Sequence, residues 1–483
     1  MHSDFIRDHH LDAMRVAGKR VPAGAGAAIQ VFNPHTGEKL GAVPKATVQE
    51  VRNAFRIARG FQPRLTRFER ANILSQAAAT VRRRATEIAA LITAESGLSL
   101  KDSMYETGRV ADVLTFGASE ALKDDGQAFS CDITPHGRKR RVHTQRAPLL
   151  GVISAITPFN HPMNQVAHKV VPAVATNNRM VLKPSEKVPF SAILFADILY
   201  EAGLPGEMLS VITGDPREIA DELITNEHVD LVTFTGGVAI GKSIAAKAGY
   251  RRLVLELGGN DPIIVMEDAD IDEASTLAVQ GSYKNSGQRC TAVKRMLVHE
   301  AVAARFTEAV VEKTRAWSYG DPADAANDMG TVIDEAAATL FEARVNEAIA
   351  QGARLLVGNR REGALYSPTV IDKVRPEMTV VRHETFGPVS PIITFRNLDE
   401  AIAIANGTAY GLSSSVCTNR LDYITRCVNE LDVGTVNVRE VPGYRLELTP
   451  FGGIKDSGLG YKEGVQEAMK SFTNLKTYSL PWP

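Results

Sequence analysis

Cysteine is scarce. The 483 residues contain four, Cys131, Cys290, Cys417 and Cys427, and no two form a CxxC pair. That number cannot staple a chain of this length and that spacing does not suit a thiolate metal site, so neither a disulfide framework nor a bound metal is expected. An excess of one charge is also missing. Lys plus Arg total 55 against 56 for Asp plus Glu, which leaves no global field to draw the protein onto nucleic acid or an anionic membrane. The basic run "RKRR" at 138–141 is short and has no interleaved aromatics, and is expected to be a solvated or subunit-bridging strand. Long apolar stretches are absent too: runs such as "APLLGVISAI" at 147–156 are too short to span a bilayer. The opening "MHSDFIRDHH" lacks the apolar run and small-residue cleavage site of a secretory signal, so the expected location is the cytoplasm. There is no internal repeat and no Gly/Ser-rich linker.

What is present is an ordinary globular composition, 44% hydrophobic and 23% charged, in a chain longer than one core supports, which implies two or three domains. Helices are predicted over 46–59, 67–96 and about Leu100–Leu122. In the second, Leu74, Ala77, Val81, Ala85, Ile88 and Ile92 recur at steps of three and four, which makes one apolar stripe. The segment after residue 124 turns strand-like and basic. From Pro148 the pattern alternates β-rich runs ("LLGVISAI", "RMVLKP", "MLSVIT", "VDLVTFTG", "RRLVLEL") with amphipathic helical stretches. Such alternation predicts an α/β parallel sheet covered on both faces, whose ligands sit beyond the carboxyl ends of the strands. A second α/β region is predicted over 260–460, with helices near 270–284, 301–316 and 334–351, and "SFTNLKTYSLPWP" reads as a last strand and tail.

Chemistry-bearing residues gather in the loops after these strands. "FTGGVAIG" at 234–241 lacks GxGxxG spacing, but a strand, a glycine pair and a helix start can form either a tight turn or an anion site. "LKPSE" at 182–186 sets Lys183 and Glu186 where a nucleotide ribose would lie. A carboxylate there accepts from a ribose 2′-hydroxyl and repels a 2′-phosphate, favouring NAD over NADP. Asn160 in "TPFNHP", Glu256 in "LELGGN" and Cys290 in "NSGQRCTA" are the types that covalent catalysis needs: an amide donor for an oxyanion, a carboxylate to activate water and a thiolate nucleophile. Arg289, directly before that thiol, has two possible uses. It can help keep Cys290 ionised, or it can hold a negatively charged molecule over the sulfur.

Together "FTGG", "LELGGN", "GQRC", "ETFGP" at 384–388 and "PFGGIKDSGLG" at 450–460 stand in the order and spacing of the aldehyde dehydrogenase superfamily, which the chain resembles over nearly its whole length. The resemblance implies an aldehyde dehydrogenase-like α/β fold. Its parts are a discontinuous Rossmann-like NAD-binding domain (1–124 and 145–257), an α/β catalytic domain (258–460), and a β oligomerisation arm (125–144 and 470–483). It makes Cys290 the nucleophile, Asn160 an oxyanion donor and Glu256 the water-activating base. The implied NAD-binding residues are Ile156, Thr157, Pro158 and Phe159; Lys183, Ser185, Glu186 and Gly214; Phe234, Thr235, Gly236, Gly237 and Leu257; and Glu384 with Phe386. Gly237 stands where many members have serine, so a hydroxyl contact to the pyrophosphate is lost. The implied substrate side is Arg109, His161, Arg289, Thr291 and Arg445. "FNHPMNQVAHKVVPA", "GQRCTAVKR" and "VPGYR" are most similar to the branch that oxidises phosphonoacetaldehyde to phosphonoacetate, with non-phosphorylating glyceraldehyde-3-phosphate dehydrogenases second. A homodimer, or a tetramer built as a dimer of dimers, is implied.

Overall fold

The computed structural model describes residues 2–23, 28–123, 126–460 and 463–481. The domain junction expected at 124/125 and the last two residues of the expected arm lie outside these described residues. Two seven-stranded sheets dominate. In the first, five parallel strands run in the order Arg252–Glu256, Val229–Thr235, Val152–Ile156, Met180–Lys183, Leu209–Val211. Two antiparallel strands, Ala13–Val16 and Lys19–Pro22, extend its edge. Alternate side chains of the central strand enter opposite cores. Ile153 and Ala155 pack among the helices Leu100–Ala121, Asn164–Ala175 and Pro189–Glu201. Val152 packs among Val48–Gly60, Pro216–Thr225 and Val238–Lys247. Both faces are therefore apolar, as a buried parallel sheet requires. The strand order reverses between Val152–Ile156 and Val229–Thr235, so a crevice opens at their carboxyl ends.

The chain leaves this sheet at Glu256 and enters the second at Asp261. There Thr369–Asp372, Val389–Phe395, Val293–His299, Asp261–Val265, Ser413–Cys417 and Thr435–Val438 are parallel, with Arg354–Val357 antiparallel at one edge. Cys290 and Glu384 precede strands of this sheet, whereas Glu256 ends a strand of the first. The carboxyl ends of one sheet thus face the amino ends of the other across the residues of interest.

The single helix predicted over 67–96 is two helices, Arg67–Arg83 and Ala85–Ser96, broken at Arg84 with φ −99° and ψ 18°. The apolar stripe continues across the break, with Leu74, Ala77, Val81, Ile88 and Ile92 all buried, which is why periodicity alone misses it. The basic segment forms Ala128–Ser130 and Arg140–Pro148; the latter is the central strand of a three-stranded antiparallel sheet, pairing with Ala128–Ser130 on one side and Thr473–Pro481 on the other. Among the described residues no helix is long and apolar enough to cross a membrane, and no group of His, Cys, Asp or Glu is arranged to hold a metal ion.

Candidate active site

Cys290 sits after an unusual turn. Asn285, Ser286 and Gly287 are consecutive left-handed residues with φ of 61°, 53° and 68°. A non-glycine residue there costs about 1–3 kcal/mol unless its surroundings over-determine it, and they do. The Asn285 backbone N–H donates to Asp102 Oδ2 at 2.8 Å, and its side-chain amide donates to the Asn160 carbonyl at 2.9 Å. Asn160 Nδ2 in turn donates to the Gln288 carbonyl at 2.9 Å, and Gln288 Oε1 accepts from the Ile333 N–H at 2.9 Å. A Cβ on Gly287 would come within 2.4 Å of the Gly387 carbonyl carbon. The sequence signature "NSGQRC" is a turn clamped from three sides. Asn160 spends one amide hydrogen on this clamp and keeps its second for a ligand.

Two cavities meet at the sulfur. The larger, about 660 Å³, lies at the crevice of the first sheet and is lined by Asn160, Glu256 and Cys290 together. Ile156, Thr157, Pro158 and Phe159 form one wall and Lys183, Ser185 and Glu186 a second. Phe234, Thr235, Gly236, Gly237 and Leu257 form a third, and Glu384 with Phe386 closes it beside Cys290. Gly214 is the exception. It does not line this cavity, because it packs under the following helix, where a Cβ would lie 2.6 Å from Ile219 Cδ1. The lining suits a dinucleotide. Gly237 is the N-cap of Val238–Lys247 without a side-chain cap, and no atom lies within 4 Å of a Cβ built on it. Backbone donors and open space thus remain for a pyrophosphate. Lys183 donates to Glu186 Oε2 at 2.9 Å. Burial works against the Glu186 charge, but Lys183 outweighs it and keeps the carboxyl below its ordinary range.

The second cavity, about 220 Å³, lies on the other side of Cys290. Arg109, His161, Arg289, Thr291 and Arg445 all line it. With Lys284, four cationic side chains face Asp102 and Glu440 as the lining carboxylates. Arg289 Nη2 donates to the Gly281 carbonyl at 2.7 Å, in the last turn of Ile271–Tyr283. Arg445 stacks 3.9 Å from the Phe451 ring centre. Arg289 Nε and Arg445 Nη1 are buried donors with no hydrogen-bond partner among the described residues, a state that costs about 1–3 kcal/mol for each group until an acceptor arrives.

Several charges besides Arg289 act on the thiol. Burial pushes the Cys290 thiol up to about 11; Lys294 is the strongest influence in the other direction, followed by Arg445, while Asp261 and Glu256 raise it. The cation that most favours the thiolate is four residues beyond the cysteine, while Arg289, which also interacts electrostatically with Cys290, lines the smaller cavity.

Several contributors escape sequence reasoning. Glu447 accepts from Arg109 Nε, lies 2.5 Å from His168 Nε2 and 3.9 Å from Arg445 Nη2. Burial would raise its carboxyl, but His168, Arg109 and Arg445 hold it far below the ordinary range. Glu106 receives the Met163 and Asn164 backbone N–H groups and sits 3.4 Å from His161 Nδ1. Burial lowers the His161 pKa against that pull, as it does for His168. Lys169, fully buried, donates to Glu463 at 2.6 Å and Thr233 at 2.9 Å. The only signals in the sequence are that Glu447 follows Arg445 by two residues and Lys294 follows Cys290 by four.

Residues 21–478 match the model of the aldehyde dehydrogenase family. The chain is 37% identical over 453 residues to a 3-sulfolactaldehyde dehydrogenase of Priestia aryabhattai, covering 94% of each chain. It is 37% identical over 451 residues to a sulfoacetaldehyde dehydrogenase of Neptuniibacter caesariensis, covering 92% of this chain and 98% of that one. Among solved structures it is similar to the NADP-dependent glyceraldehyde-3-phosphate dehydrogenase of Bacillus halodurans complexed with NADP. That match has a TM-score of 0.92 and 35% identity, and covers 98% and 99% of the two chains.

Proposed function

The chain belongs to the aldehyde dehydrogenase family, oxidoreductases that act on aldehydes with NAD or NADP, and from that premise we propose that it oxidises phosphonoacetaldehyde to phosphonoacetate with NAD. The observation that carries the substrate class is the cationic cavity beside Cys290, with Arg289 Nε and Arg445 Nη1 lacking acceptors. Guanidinium forks match the oxygens of a tetrahedral anion in shape as well as charge. The sulfonated aldehydes in the names of two relatives carry a headgroup of the same shape.

In this proposal the aldehyde lies with its headgroup on Arg289 and Arg445 and its carbonyl carbon over Cys290. Arg109, already engaged by Glu447, supports the outer rim. Cys290 gives its proton through a water molecule to Glu256, which lines the same cavity and passes it on to solvent, and the sulfur bonds to the carbonyl carbon. The resulting oxyanion is received by the free amide hydrogen of Asn160 and the Cys290 backbone N–H; one such preorganised donor is worth roughly 3 kcal/mol of barrier. When bound, NAD supplies the acceptor for the hydride that leaves the thiohemiacetal carbon. Glu256 then takes a proton from water, whose oxygen displaces the sulfur and releases the acid. Glu186 binds the adenosine ribose and disfavours a 2′-phosphate. We assign residues 1–124 and 145–257 to cofactor binding, 258–460 to catalysis, and 125–144 with 470–483 to an arm that builds a homodimer or a dimer of dimers.

The test is a comparison of kcat/KM with NAD across phosphonoacetaldehyde, sulfoacetaldehyde, glyceraldehyde 3-phosphate, succinate semialdehyde and propanal. Phosphonoacetaldehyde should lead, and propanal should be slowest. A lead by sulfoacetaldehyde would favour instead a dehydrogenase of sulfonated aldehydes, a reading that the names of two relatives support. Glu186→Ser should narrow the NAD/NADP preference ratio; an unchanged ratio removes Glu186 from the ribose.

A further inference from the structure

Lys294 is buried, with 3% of its surface exposed, and no part of the proposed reaction so far uses it. Its ammonium has three hydrogens and meets three acceptors: the Gly259 carbonyl at 2.9 Å, the Cys290 carbonyl at 3.3 Å and Glu384 Oε1. The Phe386 ring centre lies 5.1 Å away. These contacts come from three separate stretches, the "LELGG" turn after Glu256, the nucleophile loop and the "ETFGP" loop. Glu384 Oε1 also accepts from the Gly259 N–H at 3.1 Å. The close approach depends on the glycine pair, since a Cβ on Gly258 would lie 2.2 Å from Glu384 Oε2, and one on Gly259 would lie 2.3 Å from the Cys290 carbonyl oxygen.

We propose that Lys294 is a positioning residue that fixes the Cys290 backbone and Glu384 relative to each other, leaving Glu384 only Oε2 with which to meet the cofactor. A compact ammonium with all its donors matched has one geometry in this site, and a carboxylate oxygen held by two donors cannot turn to a ligand without losing both. The same charge is the largest counterweight to burial at the thiol. One side chain therefore couples nucleophile reactivity to the cofactor-facing carboxylate. The inference rests on the assignment of Cys290 as the nucleophile.

The test is the pH dependence of iodoacetamide labelling at Cys290, followed by peptide mass spectrometry, with Cys131, just beyond the strand Ala128–Ser130, as an internal reference. Lys294→Met should move the Cys290 midpoint upward by about one pH unit, a tenfold loss of thiolate at a given pH. It should also raise KM for NAD about tenfold or more, as expected when a charged hydrogen-bond partner is lost. Lys294→Arg, which keeps the charge, should recover most of the midpoint. A folded Lys294→Met protein with an unchanged midpoint and KM overturns the proposal. Should that variant fail to fold, Glu384→Gln decides. Freeing Lys294 from its carboxylate should lower the Cys290 midpoint, and no movement overturns the proposal. Labelling needs neither aldehyde nor cofactor, so it is independent of the substrate comparison, in which inactivity on every aldehyde counts against the functional reading alone.

Discussion

At the residue scale the proposed chemistry turns on one thiol and the charges around it. Cys290 is held protonated at neutral pH by burial, with its pKa pushed up to about 11. A thiol folded this way reacts as thiolate in proportion to pH, so its labelling rate in the ligand-free protein should climb roughly tenfold per unit from pH 7 to 10. A plateau reached by pH 8 would show that the thiol is already ionised. Arg289 belongs to the neighbouring cavity. Removing one partner of a desolvated charge pair costs about 2–5 kcal/mol, so Arg289→Ala should cut kcat/KM for phosphonoacetaldehyde by roughly 30-fold to several-thousand-fold. Propanal, which has no headgroup to lose, should change little. Equal losses on both aldehydes would return Arg289 to the role of thiolate activator. That the cation most favourable to the sulfur is Lys294 was not legible in "QRCTAVKR". Adjacency in the chain points to Arg289, but the turn at Asn285–Gly287 sends that side chain to the Gly281 carbonyl.

At the scale of elements, the strands flanking the crevice were legible because β-rich runs bounded by glycine and proline leave little choice of structure; the loops after them carry Asn160, Glu186 and Gly237, and Glu256 is the last residue of one of these strands. The break at Arg84 was hidden by an apolar stripe that continues through it. Glu447 and Asp102 were hidden for a different reason, since each acts on a residue far away in sequence. Asp102, in the first turn of Leu100–Ala121, accepts from the Asn285 N–H and so ties a helix to the left-handed turn. Asp102→Ala should lower stability by about 1.5–3 kcal/mol, as for a lost charge-assisted bond, and should reduce kcat more than it raises KM. A thermal melt with steady-state kinetics checks both. An unchanged kcat in a destabilised protein would confine Asp102 to folding.

At the scale of the whole molecule, the two sheets place strand ends of opposite polarity around one sulfur, and the near-zero net charge leaves selectivity to local cations. The three-stranded sheet that we propose as an oligomerisation arm exposes Leu475, Tyr478 and Leu480 on its C-terminal strand, apolar area that a partner chain would cover in the proposed assembly. Leu475→Glu with Leu480→Glu should reduce the mass in light scattering to that of one chain; an unchanged assembly would move the interface elsewhere. The central claim is that the cavity behind Cys290 receives the headgroup of an anionic aldehyde. Its most direct measurement is a crystal structure of the protein with phosphonoacetate. Phosphonate oxygens should lie within about 3 Å of the Arg289 and Arg445 guanidinium nitrogens, with the carboxylate carbon facing Cys290 Sγ. A phosphonate bound outside that cavity, with both guanidinium groups lacking an anion, would contradict it.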